Sequence, residues 1–219
     1  MMAFDTAAAR RRMVDSQLRP NRVLDPRIVA AMLEIPREAF VPPHLADVAY
    51  ADEDLPVAPG RYLMEPMVFG RMLQEVGIGP SDRVLDVGCG PGYSSAVLSR
   101  LAARVVAVES SPELLAQARG NLIRLGAASV TLINGQAAAG APEHAPFDII
   151  IVGGSVEHIP DALQSQLGDG GRLVAVVQGR AIGKATIIER HGSAFGTRQV
   201  FDAATPALPG FERPKRFVF

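Results

Sequence analysis

The residues whose types and spacing carry most chemistry are Asp86-Val87-Gly88-Cys89-Gly90-Pro91-Gly92-Tyr93. They follow the apolar run Arg83–Val87 and lead into a stretch with helical spacing. A loop joining a strand to a helix is where open α/β sheets bind nucleotides. Glycines at 88, 90 and 92 let the backbone pass close under a ligand. A dinucleotide fingerprint needs its third glycine at 93, where Tyr93 stands. Pro91 also removes one N–H that a pyrophosphate would use. The loop therefore suits an adenosine without phosphates, which favours S-adenosylmethionine over NAD. Glu109, about 20 residues after Gly88, ends the next apolar run and is placed to accept hydrogen bonds from both ribose hydroxyls. A carboxylate facing a ribose serves NAD equally, so Glu109 alone leaves the cofactor open. Ser110 beside it is counted with the cofactor residues. Asn134-Gly135-Gln136, after a third run, is expected at the adenine edge, although polar residues there are more often a simple turn.

Positioning these residues requires alternating strands and helices, and the chain after Pro80 supplies them. Apolar, β-branched runs at 83–87, 104–108, 129–133, 147–152 and 171–177 read as buried strands. Residues 184–189 and a C-terminal segment ending Arg216-Phe217-Val218-Phe219 read as later strands, paired antiparallel at a sheet edge. Helices are expected over 93–101 and from Pro112, behind a Ser111 cap, to about Leu125 before Gly126. Ahead of Gly79 the chain reads instead as short helices broken by prolines. Asp5 or Thr6 caps one that runs to Leu18, Asp25-Pro26 opens a second to Glu34, and a third runs from Pro66 to Val76. The expected fold is α/β: a doubly wound, mostly parallel seven-stranded sheet of Rossmann-like type with helices on both faces and an N-terminal helical extension. The expected division is residues 1–79 as a helical lid contributing to an acceptor site and 80–219 as the cofactor-binding core.

Composition narrows the function. In 219 residues, Lys+Arg is 22 against Asp+Glu 23, which lacks the basic excess of a dedicated nucleic-acid binder. Cys89 is the only cysteine, so neither an internal disulfide nor a cysteine-rich metal site can form. No metal is expected. Arg10-Arg11-Arg12 is followed by no apolar run, and no stretch of about 18 apolar residues occurs, so an export signal and a spanning helix are not expected. A soluble, cytoplasmic protein is the expectation, with no membrane partner.

Asp86 to Tyr93, Glu109, Phe147-Asp148 and Gly168-Asp169-Gly170-Gly171 resemble the motif series of seven-stranded S-adenosylmethionine-dependent methyltransferases. The N-terminal third resembles one family of them, the protein-L-isoaspartate O-methyltransferases. The matching pieces are Val23-Leu24-Asp25, Ile35-Pro36-Arg37-Glu38-Ala39-Phe40-Val41-Pro42, and Ala49-Tyr50-Ala51-Asp52 with Leu55-Pro56. The resemblance implies a monomeric cytoplasmic enzyme that methylates the carboxylate of isoaspartyl residues in damaged proteins and peptides. It also implies an acceptor site at Tyr62, Leu63, Met64, Glu65 and Pro66. The family's segment resembles Gly-Gln-Thr-Ile-Ser-x-Pro, and Met64 stands where its serine would be, the position nearest catalysis. Gln136 replaces the aspartate of the family's Gly-Asp-Gly, and residues 203–210 replace its Arg-Phe-Val-Pro-Leu stretch.

Losing the serine does not by itself abolish methyl transfer. A sulfonium methyl is electrophilic, and a carboxylate with a pKa of about 4 is ionised at pH 7, so no general base is required. Two other readings remain open on the sequence: the same cofactor with a different acceptor, either a small molecule or another protein group, and a non-catalytic cofactor-binding module. Glu65 reads most simply as an exposed carboxylate, Asp52-Glu53-Asp54 as a solvated charge run and Cys89 as a small loop-filling residue.

Overall fold

The computed structural model describes residues 5–213. Asp5 caps the first helix, α1 (Thr6–Met13), by accepting from the Ala8 N–H at 2.9 Å. The helix continues as a π-helical turn, Val14–Leu18, so the expected run to Leu18 is present with a change of pitch. The wider turn brings positions five apart into line, and Met13, Val14 and Leu18 are all buried by it. α2 (Pro26–Glu34) starts where the Asp25 side chain accepts from the Arg27 N–H, with proline in the first turn. A short antiparallel hairpin follows, β1 (Leu55–Ala58) and β2 (Arg61–Leu63), turning at Gly60 with φ +67°. α3 (Pro66–Val76) ends at the left-handed Gly77.

The second half alternates as expected: β3 (Arg83–Val87), α4 (Tyr93–Leu98), β4 (Arg104–Glu109), α5 (Pro112–Arg124), β5 (Thr131–Asn134), β6 (Phe147–Val156), α6 (Asp161–Gln164), β7 (Leu167–Val177) and β8 (Gly183–His191). The edge strand is β9 (Ala194–Ala203), which the sequence reading did not anticipate. The strand expected at 216–219 lies outside the described residues. The sheet order is β5-β4-β3-β6-β7-β8-β9, with β8 antiparallel to both neighbours and every other pair parallel.

Alternation along the strands splits the core in two. Val84, Val105, Ala107, Ile149 and Ile151 face a large cluster built with α1 to α4. Leu85, Val87, Val106, Val108 and Ile150 face the other way. That second face is covered thinly, by α6, short 3₁₀ turns and the segment carrying Leu208 and Phe211, rather than by a layer of long helices. From β3 the chain steps outward to β4 and β5, then returns to β6 on the other side of β3. The order therefore reverses beside β3, and a crevice opens at the carboxyl ends of β3 and β6. Among the described residues, no helix is long and apolar enough to cross a membrane.

Candidate active site

Asp86, fully buried on β3, reaches toward this crevice. Its Oδ2 accepts from the Ser94 and Ser95 hydroxyls of α4, at 2.7 and 2.6 Å, while Oδ1 is buried without a partner. Burial pushes its carboxyl up to about 6; the two hydroxyls pull against the rise and the charge of Glu109 adds to it. The three glycines of the loop all have positive φ but do different work. A Cβ at Gly88 would lie 2.8 Å from a Leu208 methyl, and one at Gly92 would lie 3.1 Å from the Ala118 Cβ. Those two glycines admit neighbouring parts of the chain. Gly90 alone has nothing within 4 Å of a Cβ, so it alone of the three faces open space. Cys89 is buried, and burial raises its thiol well above the ordinary range, which keeps it protonated and unreactive.

Glu109 ends β4 with no solvent exposure. Arg61 of β2 grips it with both ends of its guanidinium, Nη1 donating to Oε1 and Nη2 donating to Oε2 at 2.7 Å. The Ser111 N–H adds a bond to Oε1 at 2.9 Å, and the Gly90 N–H one to Oε2 at 2.8 Å. Burial alone would raise this carboxyl; the Arg61 guanidinium and the two backbone donors outweigh burial and hold it below the usual carboxylate range. Arg61 was not among the residues expected at the site. Its one sequence signal is weak: it shares the buried side of β2 with Leu63, an unusual place for an arginine. Gly135 donates its N–H to the Glu109 carbonyl at 3.1 Å, so the β5 end is tied to the clasp by backbone. The side chains of Ser110 and Gln136 are exposed there, at the rim.

A narrow cleft brings Tyr62, Leu63 and Met64 together with Asp86, Cys89 and Gly153. Residues 62–64 and the glycine loop, separate in sequence, thus line one cleft. Glu109, Ser110, Gly135 and Gln136 lie beyond that lining. Arg37, fully buried, holds the acceptor segment in place: its Nη2 donates to the Met64 carbonyl at 2.7 Å and its Nε to the Ala49 carbonyl at 2.7 Å. Its guanidinium also stacks on the Tyr93 ring, 5.2 Å from the centroid. Glu38 accepts from the Tyr50 hydroxyl, which in turn accepts from Arg10 Nε at 2.7 Å. The Pro36-Arg37-Glu38 motif is therefore a clamp that fixes strand β2 against the α4 end of the loop.

Glu65 is not the exposed carboxylate expected from sequence. It is half-buried and pushed up to about 7, by burial first and then by the charges of Asp54, Asp52 and Glu53. Nor is the acidic run simply solvated. Asp54 accepts from the Glu65 N–H at 3.1 Å and from the Thr205 hydroxyl at 3.0 Å, and Asp52 accepts from the Met67 N–H at 3.2 Å. Carboxylates at the start of α3 satisfy N–H groups that have no helical partner. Thr205 belongs to the segment that departs most from the sequence motifs. That segment straps over β6, with Ser155 N–H donating to Pro206 O at 2.9 Å and Leu208 N–H donating to Ser155 O at 2.8 Å.

The glycine loop, the acidic end of the second strand and the crevice at the strand-order reversal define a Rossmann-like methyltransferase of the S-adenosylmethionine-dependent class. The residues fit that cofactor: Asp86 Oδ1 is an acceptor still lacking a donor, Gly90 opens onto free space, and Glu109 is a buried carboxylate at the end of β4. The protein-L-isoaspartate(D-aspartate) O-methyltransferase family matches residues 9–201, and the chain belongs to it. A protein-L-isoaspartate O-methyltransferase of Methanoregula boonei is 42% identical over 191 residues, covering 87% of this chain and 88% of the relative. That of Roseiflexus castenholzii is 36% identical over 207 residues, 94% of each. A solved protein-L-isoaspartate O-methyltransferase superposes with a TM-score of 0.79 at 26% identity, over 92% of this chain and 66% of that one. A Plasmodium falciparum structure described under the same enzyme name, in complex with S-adenosyl-L-homocysteine, shares the fold with a TM-score of 0.78 at 18% identity, over 93% and 97% of the two chains.

Proposed function

We propose that the protein transfers the methyl group of S-adenosylmethionine to the carboxylate of isoaspartyl residues in damaged proteins and peptides. The observation that carries the reading is the single cleft lined both by Asp86, with its unpartnered oxygen, and by residues 62–64, in a chain of this family. When bound, S-adenosylmethionine supplies an electrophilic sulfonium methyl. Asp86 Oδ1 would accept from the ammonium of the amino-acid tail, and Glu109 would hold the ribose hydroxyls. Ser110, Gly135 and Gln136 would border the base. Leu63, Met64 and Phe69 make the transfer zone apolar, which favours a reaction in which opposite charges disappear. The acceptor carboxylate arrives ionised, so the chain moves no proton and contributes orientation instead. The Arg37 clamp supplies that orientation by holding the backbone of residues 63 and 64. In this reading the first 79 residues form the acceptor wall and residues 80–219 the cofactor half. The protein acts as a cytoplasmic monomer without nucleic acid or membrane.

The test is incubation with methyl-labelled S-adenosylmethionine and paired isoaspartyl and aspartyl peptides. Base-labile label on the isoaspartyl peptide alone is expected. Label on neither refutes the activity. Inert peptides alongside a labelled metabolite extract would transfer the assignment to a small acceptor, the reading that the missing serine at Met64 favours.

A further inference from the structure

We infer that Arg61 occupies the ribose clasp until cofactor arrives, so that cofactor binds by exchange and Arg61 sets the affinity. The inference rests on the methyltransferase reading above. A carboxylate offers about four lone-pair positions. In Glu109 all are engaged: Oε1 by Arg61 Nη1 and the Ser111 N–H, with the Ser110 hydroxyl a long fifth contact at 3.5 Å, and Oε2 by Arg61 Nη2 and the Gly90 N–H. Two ribose hydroxyls cannot bond to this carboxylate while those four donors remain.

Of the four close donors only Arg61 can leave cheaply, and the exposed Ser110 hydroxyl at 3.5 Å is too long to hold the site by itself. The Gly90 and Ser111 N–H groups are backbone, fixed by the loop after β3 and by the start of α5. Arg61 is a side chain with free torsions, on the first residue of a three-residue strand that follows the exposed Pro59-Gly60 turn. Besides Glu109 it holds only the Gly88 carbonyl, at 3.2 Å. Two hydroxyls about one carbon–carbon bond apart can replace a bidentate guanidinium in number and direction, but as neutral donors they are the weaker pair. Each binding event therefore gives up a charge-assisted fork, and affinity is lower than the pocket would otherwise allow.

The experiment is calorimetric titration of S-adenosylhomocysteine into the wild-type protein, Arg61→Gln and Arg61→Lys, with a crystal structure of the wild-type protein soaked in the same ligand. Arg61→Gln is expected to bind at least tenfold tighter than wild type, with Arg61→Lys between, since an ammonium cannot cover both oxygens. In the soaked crystal the guanidinium should have left Glu109, with ribose oxygens in its place. A soaked structure with ligand bound and Arg61 still on both oxygens overturns the exchange. So does a folded Arg61→Gln that binds equally or more weakly. The soak decides the matter if the variants do not fold. If neither wild type nor variant binds the ligand, the cofactor reading itself fails and the inference goes with it.

Discussion

Replacing Met64 by serine separates the acceptor's needs from the fold's. Met64 is 7% exposed, and its carbonyl is held by Arg37 Nη2 at 2.7 Å. The backbone therefore stays in place and a new hydroxyl emerges into the cleft where the thioether now sits. Truncating a buried methionine costs about 2–5 kcal/mol, and the low end applies beside an open cleft. For a chain of this size, about 2 kcal/mol lowers Tm by roughly 4–8 °C. Against that, a hydroxyl donating to an ionised acceptor contributes about 1.5–3 kcal/mol, or about 10- to 160-fold in kcat/KM. The expected variant is thus less stable and more active. Ester formation on an isoaspartyl peptide, measured beside thermal unfolding, reads both. Met64→Ala is the control, since it opens the same space without a donor and should lose stability without gaining rate. A cooperatively folded Met64→Ser whose kcat/KM equals or falls below wild type would refute the idea that position 64 orients the acceptor.

Three further outcomes follow from the same geometry. Asp86 titrates at about 6 and must be ionised to hold an ammonium, so S-adenosylhomocysteine affinity should fall below pH 6 by up to about tenfold per unit. Asp86→Asn should bind weakly and without that slope; an equally steep slope in the variant would assign it to another group. Glu65 titrates at about 7 in the fold, above its ordinary value, so the folded state holds its proton more tightly than the unfolded chain. Its contribution is therefore lost as pH rises from about 4.5 to 7, and the Tm advantage of Glu65→Gln over wild type should grow between pH 5 and 8. A constant difference would count against the burial argument. Gly90→Ala places a methyl in open space at φ +55°, costing about 1–2 kcal/mol of stability. Its loss of S-adenosylhomocysteine binding should be larger, at least tenfold, and unchanged affinity would mean that the ligand does not cross Gly90.

The second half of the fold was legible because its strands are buried on both faces and so read as unbroken apolar runs, each closed by a helix signal. β9 broke that rule. Ala194 to Gln199 are exposed on an edge strand, so neither face leaves an apolar imprint. The β1–β2 hairpin was hidden for a related reason, since a proline-containing four-residue strand is too short to show alternation. At the site, Asp86 and Glu109 could be put forward from sequence because the roles proposed for them depend on distance along the chain from a glycine loop. Arg61 was missed because its burial depends on a partner 48 residues away, which spacing does not encode. Glu65 was misjudged likewise, because its environment is set by burial and by the acidic run at 52–54 that the fold brings against it.

The same contrast explains how a family-specific motif can survive here while the serine it supports does not. Arg37 does not touch the side chain at position 64. It bonds to the carbonyls of residues 63 and 64 and to that of Ala49, and it lies against the Tyr93 ring. Those contacts are indifferent to what residue 64 carries, so a change from serine to methionine leaves the strand, the clamp and the cleft in register. Arg37 itself has no such freedom. It is fully buried, its burial already disfavours its charge, and removing either the guanidinium or the carbonyls it satisfies would strand polar groups in the core at about 1–3 kcal/mol each. The clamp is under structural constraint whatever the acceptor is, whereas the side chain at position 64 answers to local packing and to the acceptor. A change of side chain at position 64 therefore alters one wall of the cleft without removing the bonds that hold the rest.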